Sequence, residues 1–250
     1  MLDPPNVNCL QGLTPNQLKA ANTDGPVLVL AGAGTGKTRT LTAAVARRIM
    51  VSGIDPSRVM AVTFTNKAAM EMSDRILATL GIATRPPWVG TFHSLGARQL
   101  RTEPEVAGLR PGFDILDADD SRRMIKRCMK AMNLAGGGDE PGPAGKDPLK
   151  AVVNAISKFK DNLIAPSEAA NCVEAMIAQS HRADRPVDPH ILRSAAAVYI
   201  DYQRRLREAN AADFGDLLMW PTRAMQDNET YRRRWAARFD CLHGDEYQDV

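Results

Sequence analysis

The residues of this sequence best suited to chemistry stand far apart in it. Near one end is Ala31-Gly32-Ala33-Gly34-Thr35-Gly36-Lys37-Thr38, and near the other is Asp245-Glu246. Gly32, Gly34 and Gly36 let the backbone curl so that its N–H groups converge on an anion, some of them at positive φ, which other residues resist. Lys37 would set a cation between the β- and γ-phosphates of a nucleoside triphosphate, and Thr38 offers a hydroxyl to Mg²⁺. Magnesium also wants a carboxylate, and an attacking water wants a base. Asp245 suits the first task, usually through a water, and Glu246 suits the second. Gln248 could sense the γ-phosphate with its amide. Without the glycine-rich loop, Asp245-Glu246 would read as an exposed acidic turn.

Such groups work only if elements aim them. The apolar run Val27-Leu28-Val29-Leu30 predicts a short buried strand ahead of the loop. Behind it, Leu41, Ala44, Val45 and Ile49 mark one face of a helix whose positive dipole end points at the same phosphates. Strand, loop and helix are the parts of a P-loop NTPase, here with Ala31 in place of the usual first glycine. Upstream, Thr14 before Pro15 predicts an N-cap and first helical position, which puts Gln17 on a short helix. A glutamine amide can pair two-handed with adenine, although Gln17 taken alone reads as a helix-surface residue. Residues 59–64 predict the next strand, 67–80 a helix capped by Gly81, 88–92 a third strand and 93–100 a short helix. Asp245 falls at the end of what should be the last strand. The alternation predicts an α/β parallel sheet.

Between about residues 103 and 210 the pattern is helical, with no convincing strand. Met124, Ile125, Cys128, Met129 and Met132 recur at helical spacing, Asp147-Pro148 and Asp188-Pro189 cap further helices, and Ser167 opens another. Asp213 then starts a helix that Pro221 should kink or end, and Asn228 caps one over residues 229–238. Composition is that of a soluble globular chain, 44% apolar and 24% charged. The net charge of +3 neither demands nor excludes a nucleic-acid partner. Arg122-Arg123, Lys126-Arg127, Arg204-Arg205 and Arg232-Arg233-Arg234 read as solvated helix faces. The four cysteines and four histidines show no ligand spacing, so neither a metal cluster nor a disulfide framework is expected, and a reducing cytoplasm fits. The first residues lack a signal-peptide pattern, and no apolar run approaches the ~18 residues of a membrane span.

Taken in order, Gln17, Ala31-Gly-Ala-Gly-Thr-Gly-Lys-Thr-Arg39, Ala61-Val-Thr-Phe-Thr-Asn-Lys-Ala-Ala69, Gly90-Thr-Phe-His-Ser94, Asp213-Phe-x-Asp-Leu-Leu218 and Asp245-Glu-Tyr-Gln-Asp249 resemble the N-terminal half of UvrD/Rep/PcrA-type superfamily 1 DNA helicases. The resemblance implies a RecA-like ATP-binding domain over residues 1–105 and 209–250, interrupted by a helical subdomain over 106–208. It implies Mg²⁺-dependent ATP hydrolysis coupled to 3′–5′ translocation, with single-stranded DNA or a single/double-strand junction as partner. Gln17 and Arg39 would hold the adenine end of ATP, and residues 31–38 its phosphates and Mg²⁺. Phe64, Thr65, Asn66, Thr91, Phe92 and His93 would contact single-stranded DNA. Thr and Asn bond phosphate and sugar without reading sequence, and aromatics stack on any base. Read alone, Phe64 and Phe92 are core residues, and Asp213 and Phe214 are a helix N-cap and a buried anchor. Two departures stand out. His243 and Gly244 are poor buried-strand residues, and Gly244 permits a bulge that would re-aim Asp245. Gly215 replaces an acidic residue, which weakens that helix start. The family's second RecA-like domain, with its γ-phosphate arginines, is absent from these 250 residues, so an open sheet edge is expected. The alternative reading is an ATP- and single-strand-binding module without unwinding activity of its own.

Overall fold

The computed structural model describes residues 8–32, 34–81, 86, 88–134, 147–182 and 188–245. In chain order its α-helices and β-strands are α1 (Pro15–Asn22), α2 (Lys37–Met50), β1 (Val59–Thr63), α3 (Asn66–Leu80), β2 (Val89–Thr91) and α4 (Phe92–Thr102). There follow β3 (Asp114–Ile115), α5 (Ala118–Ala131), α6 (Pro148–Asp161), α7 (Ala169–Arg182) and α8 (Pro189–Glu208). Last come β4 (Ala211–Ala212), α9 (Phe214–Asp227), α10 (Glu229–Ala236) and β5 (Cys241–Gly244). By packing, the chain divides into Met1–Leu95 with Glu229–Val250, and Gly96–Asn228.

The first unit holds the parallel sheet, in the order β2-β1-β5. Parallel strands need helical crossovers, and the alternation of apolar strand and amphipathic helix supplies them. Val59 and Ala61 of β1 are fully buried against Val45 of α2 and Met72 and Ile76 of α3, with Cys241 of β5 at the margin. Thr65 caps α3 through a hydrogen bond from the Ala68 N–H, and Gly81 ends it in the left-handed conformation at φ 65°. The β1–β5 ladder continues in register to Val62 opposite Gly244, without the bulge that Gly244 permits.

The expected strand at residues 27–30 is not formed. Val27, Leu28, Val29 and Leu30 are all exposed, Leu30 to 87%. Among the described residues no strand pairs with them, and β5, whose Leu242 is also exposed, is an edge strand of the sheet. Apolar composition makes a segment fit for burial but supplies neither a hydrogen-bonding neighbour nor a covering layer.

The second unit is helical around Phe159, Tyr199, Tyr202 and Leu206, with α5, α6 and α7 packed on α8. It also contains strands where the sequence suggested none. β3 pairs in parallel with β4, and Asn210 clips the pair by accepting the Arg110 N–H at 2.7 Å and donating to the Arg110 carbonyl. Two-residue strands are too short to leave a periodic signal. Pro221 does not end α9, which runs through it to Asp227. Leu217, Met219 and Pro221 are buried together on that helix, and their packing offsets the lost backbone hydrogen bond. At Gly96 of α4 a Cβ would lie 2.2 Å from the Leu217 carbonyl oxygen, so only glycine permits this approach of α4 to α9.

The start of α9 is stronger than its Gly215 suggested. Asp213 and Asp216 form a reciprocal capping box, each accepting the other's backbone N–H. Lys160, buried in α6, reaches both carboxylates, at 2.6 Å from Asp213 and 2.8 Å from Asp216. Tyr202 donates to Asp213, while Gln203 and Trp220 donate to Asp216. A Cβ at position 215 would meet the Lys160 stem at 2.8 Å, so glycine there makes room for the lysine. Phe214 is not the buried anchor expected; it is 52% exposed.

Candidate nucleotide site

The loop ahead of α2 is built as its residue types require. Gly34 and Gly36 take φ of 76° and 84°, the left-handed region that favours glycine, whereas Gly32 does not. The Thr35 hydroxyl donates to the Gly32 carbonyl at 2.7 Å and folds the loop on itself. Gly36 is the N-cap of α2. Having no side chain, it supplies no acceptor to the first-turn N–H groups of that helix, which suits them to an anion from outside. Lys37 and Thr38 follow on that turn, both half-buried.

Asp245 comes to this turn from the far end of the sequence. Its N–H donates to the Val62 carbonyl at 2.9 Å, extending the sheet one residue past β5. Its carboxylate, in a residue 7% exposed, accepts from the Thr38 hydroxyl at 3.4 Å. A hydroxyl and a carboxylate brought together beside an anion-binding helix end make an oxygen-only donor set. Such a set suits a hard divalent cation that keeps waters and phosphate oxygens as its other ligands. The residues therefore fit Mg²⁺ held with a nucleotide. Ala33, Glu246 and Gln248 lie outside the described residues.

The two residues expected at the adenine end lie beside the loop. Gln17 accepts the Thr14 N–H at 2.9 Å through Oε1 and donates to the Thr35 carbonyl at 2.8 Å through Nε2. Its amide thus ties α1 to the phosphate loop, and a Cβ at Gly36 would press on it at 2.8 Å. This strut was missed in the sequence, although Thr14-x-x-Gln17 carries the capping-box signature. Arg39, exposed, donates to the Gln11 carbonyl at 3.2 Å.

The expected DNA contacts fall at the C-terminal ends of β1 and β2. Phe64 is 60% exposed, so here the core reading of that ring fails. Thr65 and Asn66 are exposed beside it. Thr91 is buried and engaged in a cap: its N–H donates to Ser94 Oγ at 2.9 Å, and the Ser94 N–H donates back to Thr91 Oγ1 at 3.2 Å. The cap fixes the direction of α4, and Phe92 and His93 open that helix half-buried. Ser94 and Gly90 have structural roles here that the sequence reading left unassigned. A Cβ at Gly90 would lie 2.5 Å from Ser94 Oγ, so glycine is needed for the cap to close.

His243 sits on β5 two residues before Asp245, opposite Ala61. Burial, with a further push from the Arg48 guanidinium, holds its imidazole at about 4, so the ring is neutral near pH 7. Its Nε2 is buried with no hydrogen-bond partner among the described residues.

Known proteins resemble this chain over most of its length. The model of the UvrD/REP helicase N-terminal domain matches residues 13–250. The chain is 37% identical, over 96% of its length, to the ATP-dependent DNA helicase UvrD1 of Mycobacterium tuberculosis, of which it covers 29%. It is 34% identical, again over 96% of its length, to the ATP-dependent DNA helicase PcrA of Bacillus subtilis, covering 30% of that protein. A probable DNA helicase II homolog of Mycoplasma capricolum is 35% identical over 97% of the chain, with 31% of its own length covered. The chain thus spans about 30% of the length of these relatives, and it belongs to the UvrD/REP helicase N-terminal domain family.

Proposed function

We propose that this chain is the RecA-like, ATP-binding portion of a DNA helicase that moves 3′–5′ along single-stranded DNA. The observation that carries the reading is the meeting of Thr38 and Asp245 at the glycine-capped start of α2. The names of the relatives, ATP-dependent DNA helicases, support the nucleotide and the polymer. Lys37 and the α2 N-terminus would bind the phosphates, and Gln17 and Arg39 would border the adenine end. Thr38 and Asp245 would hold Mg²⁺, which supplies charge neutralisation on the phosphates. Glu246 would orient and deprotonate the attacking water, with Gln248 sensing the γ-phosphate. Phe64 would stack on a base while Thr65, Asn66, Thr91, Phe92 and His93 border the strand. No helix among the described residues is long and apolar enough to cross a membrane. Together with four free cysteines, this supports work in the cytoplasm.

The second reading is that this chain by itself, which spans about 30% of the length of its relatives, binds ATP and single-stranded DNA without unwinding. Titration of a fluorescent ATP analogue, with phosphate release measured with and without a single-stranded oligonucleotide, tests both. Lys37→Ala is expected to weaken nucleotide binding roughly 100-fold or more, the range for removing one partner of a buried charge-assisted pair. Unchanged affinity would overturn the loop assignment. Turnover stimulated by the oligonucleotide supports the motor reading for this chain; binding without turnover supports the module.

A further inference from the structure

One strongly basic surface of the first unit takes no part in the site above. The twelve residues from Glu229 to Asp240 contain Arg232, Arg233, Arg234 and Arg238 against Glu229 and Asp240, a net of +2 from four minus two. Arg58 adds one more, bound two-handed to Asp240 at 2.6 and 2.5 Å. This small surface therefore matches the +3 of the whole chain. Arg232 and Arg233 share the single carboxylate of Glu229, which leaves an excess of positive charge on the outer side of α10.

The arginines are held on a rigid platform. Tyr231 and Trp235 are buried and anchor α10, while Arg232, Arg233, Arg234 and Arg238 are exposed. Trp88 meets Trp235 and Phe239 edge-on, with ring centres 5.6 and 5.2 Å apart. The Arg238 guanidinium lies 4.9 Å from the Trp88 ring centre and 5.4 Å from that of Trp235, and Arg234 lies 5.6 Å from Tyr231. Arg58 also donates to the Ala237 carbonyl, and the Asp240 N–H donates to the Arg58 carbonyl, which pins the segment at the start of β5. Stacking engages the face of a guanidinium rather than its N–H edge, so a stacked arginine is ordered before it meets a partner.

The position also sets it apart. Arg58, Trp88 and Arg238 lie at the N-terminal ends of the three parallel strands. The phosphate loop, Thr65, Thr91 and Asp245 lie at the C-terminal ends.

We propose that Arg232, Arg233, Arg234 and Arg238 form a second, sequence-independent DNA contact that binds the phosphate backbone of duplex DNA. The proposal rests on the reading that the chain acts on DNA. Arginines also occur in protein interfaces, but this surface lacks the apolar core of one: no large apolar side chain is exposed between Glu229 and Asp240. Exposed planar guanidinium forks match phosphates.

The test measures binding of a labelled duplex, a labelled single strand and labelled polyglutamate by the 250-residue chain across a range of salt. The variants are Arg232→Gln/Arg233→Gln/Arg234→Gln, the corresponding triple Lys variant, and Phe64→Ala. For the triple Gln variant, duplex affinity at low salt should fall about ten-fold or more. The slope of log affinity against log salt should become shallower by about 2–3, at ~0.9 for each phosphate no longer neutralised. The triple Lys variant should keep most of the affinity, and nucleotide binding should not change in either. Phe64→Ala should weaken the single strand alone. Wild-type duplex affinity and slope in the triple Gln variant would overturn the inference, with the proposed function standing if Phe64→Ala still weakens single-strand binding. Equal loss in the Gln and Lys variants would overturn it too, showing a structural effect. So would loss of polyglutamate binding with duplex binding intact, which would mark a protein-docking surface. A chain that bound neither oligonucleotide would sink both this inference and the DNA reading.

Discussion

Thr38 and Asp245 are 207 positions apart in sequence and 3.4 Å apart in the fold. They were legible because each belongs to a short pattern whose residue types have one shared chemistry. Gln17 shows the limit of such reading. Its amide has both a donor and an acceptor, and the nearest partners for them are the Thr14 N–H and the Thr35 carbonyl. Which of several possible partners a polar side chain takes depends on distances that residue type alone does not encode. Phe64 shows the same limit in reverse, since a ring at a strand end fits a core or a surface equally well until its neighbours are known. His243 yields a prediction at this scale. Its imidazole is held at about 4 in the fold against an ordinary 6.5. Below pH 6.5 the unfolded chain gains a proton that the folded chain refuses. Stability should therefore fall as pH drops from 6.5 toward 4, by at most about 1.4 kcal/mol per pH unit from this group. His243→Leu removes both the titration and the unpartnered Nε2. Urea melts should show that it flattens this acid-side loss; an unchanged pH profile would assign the loss to other groups.

Elements were legible where periodicity and capping agreed. Asp147, Asp188 and Asp213 cap the helices they were expected to cap, each through a side-chain hydrogen bond to a first-turn N–H. The failures came where an element's state is decided outside it. Residues 27–30 have strand composition without a strand beside them, and Pro221 lies in a helix that its packing holds together. Gly215 weakens α9 by propensity, yet it admits Lys160, and no local rule relates two residues so far apart in sequence. The Lys160 network can be tested directly. Burial works against the charge of Lys160, but Asp216 and Asp213 more than offset it and raise its affinity for a proton. Burial likewise opposes the Asp213 charge and is outweighed by Lys160, which holds that carboxyl below its ordinary range. Lys160→Met would leave two buried carboxylates without their cation. It should cost about 3–5 kcal/mol, the range for breaking a buried ion pair from one side, seen as a lower denaturation midpoint. A change under about 1 kcal/mol would mean that the α9 N-terminus and its hydrogen bonds hold both charges unaided.

For the whole molecule, the class of fold followed from alternation of strand and helix, and the interruption followed from a long stretch of helix alone. The two packed units divide at residues 95–96 and 228–229. Within the helical unit, the close backbone approach at Gly96 and the short β3–β4 pair leave no pattern in sequence. The fold carries Asp245, at the end of β5, to the first turn of α2, and the proposed function rests on that meeting. The affinity of the chain for a fluorescent ATP analogue, measured with Mg²⁺ and with a chelator, in wild type and Asp245→Asn, tests that claim most directly. Magnesium should tighten binding in the wild type, and Asp245→Asn should lose most of that gain while keeping its metal-free affinity. A wild-type affinity indifferent to Mg²⁺, or an Asp245→Asn variant with the full gain, would contradict the assignment of this pair as the metal-holding half of the nucleotide site.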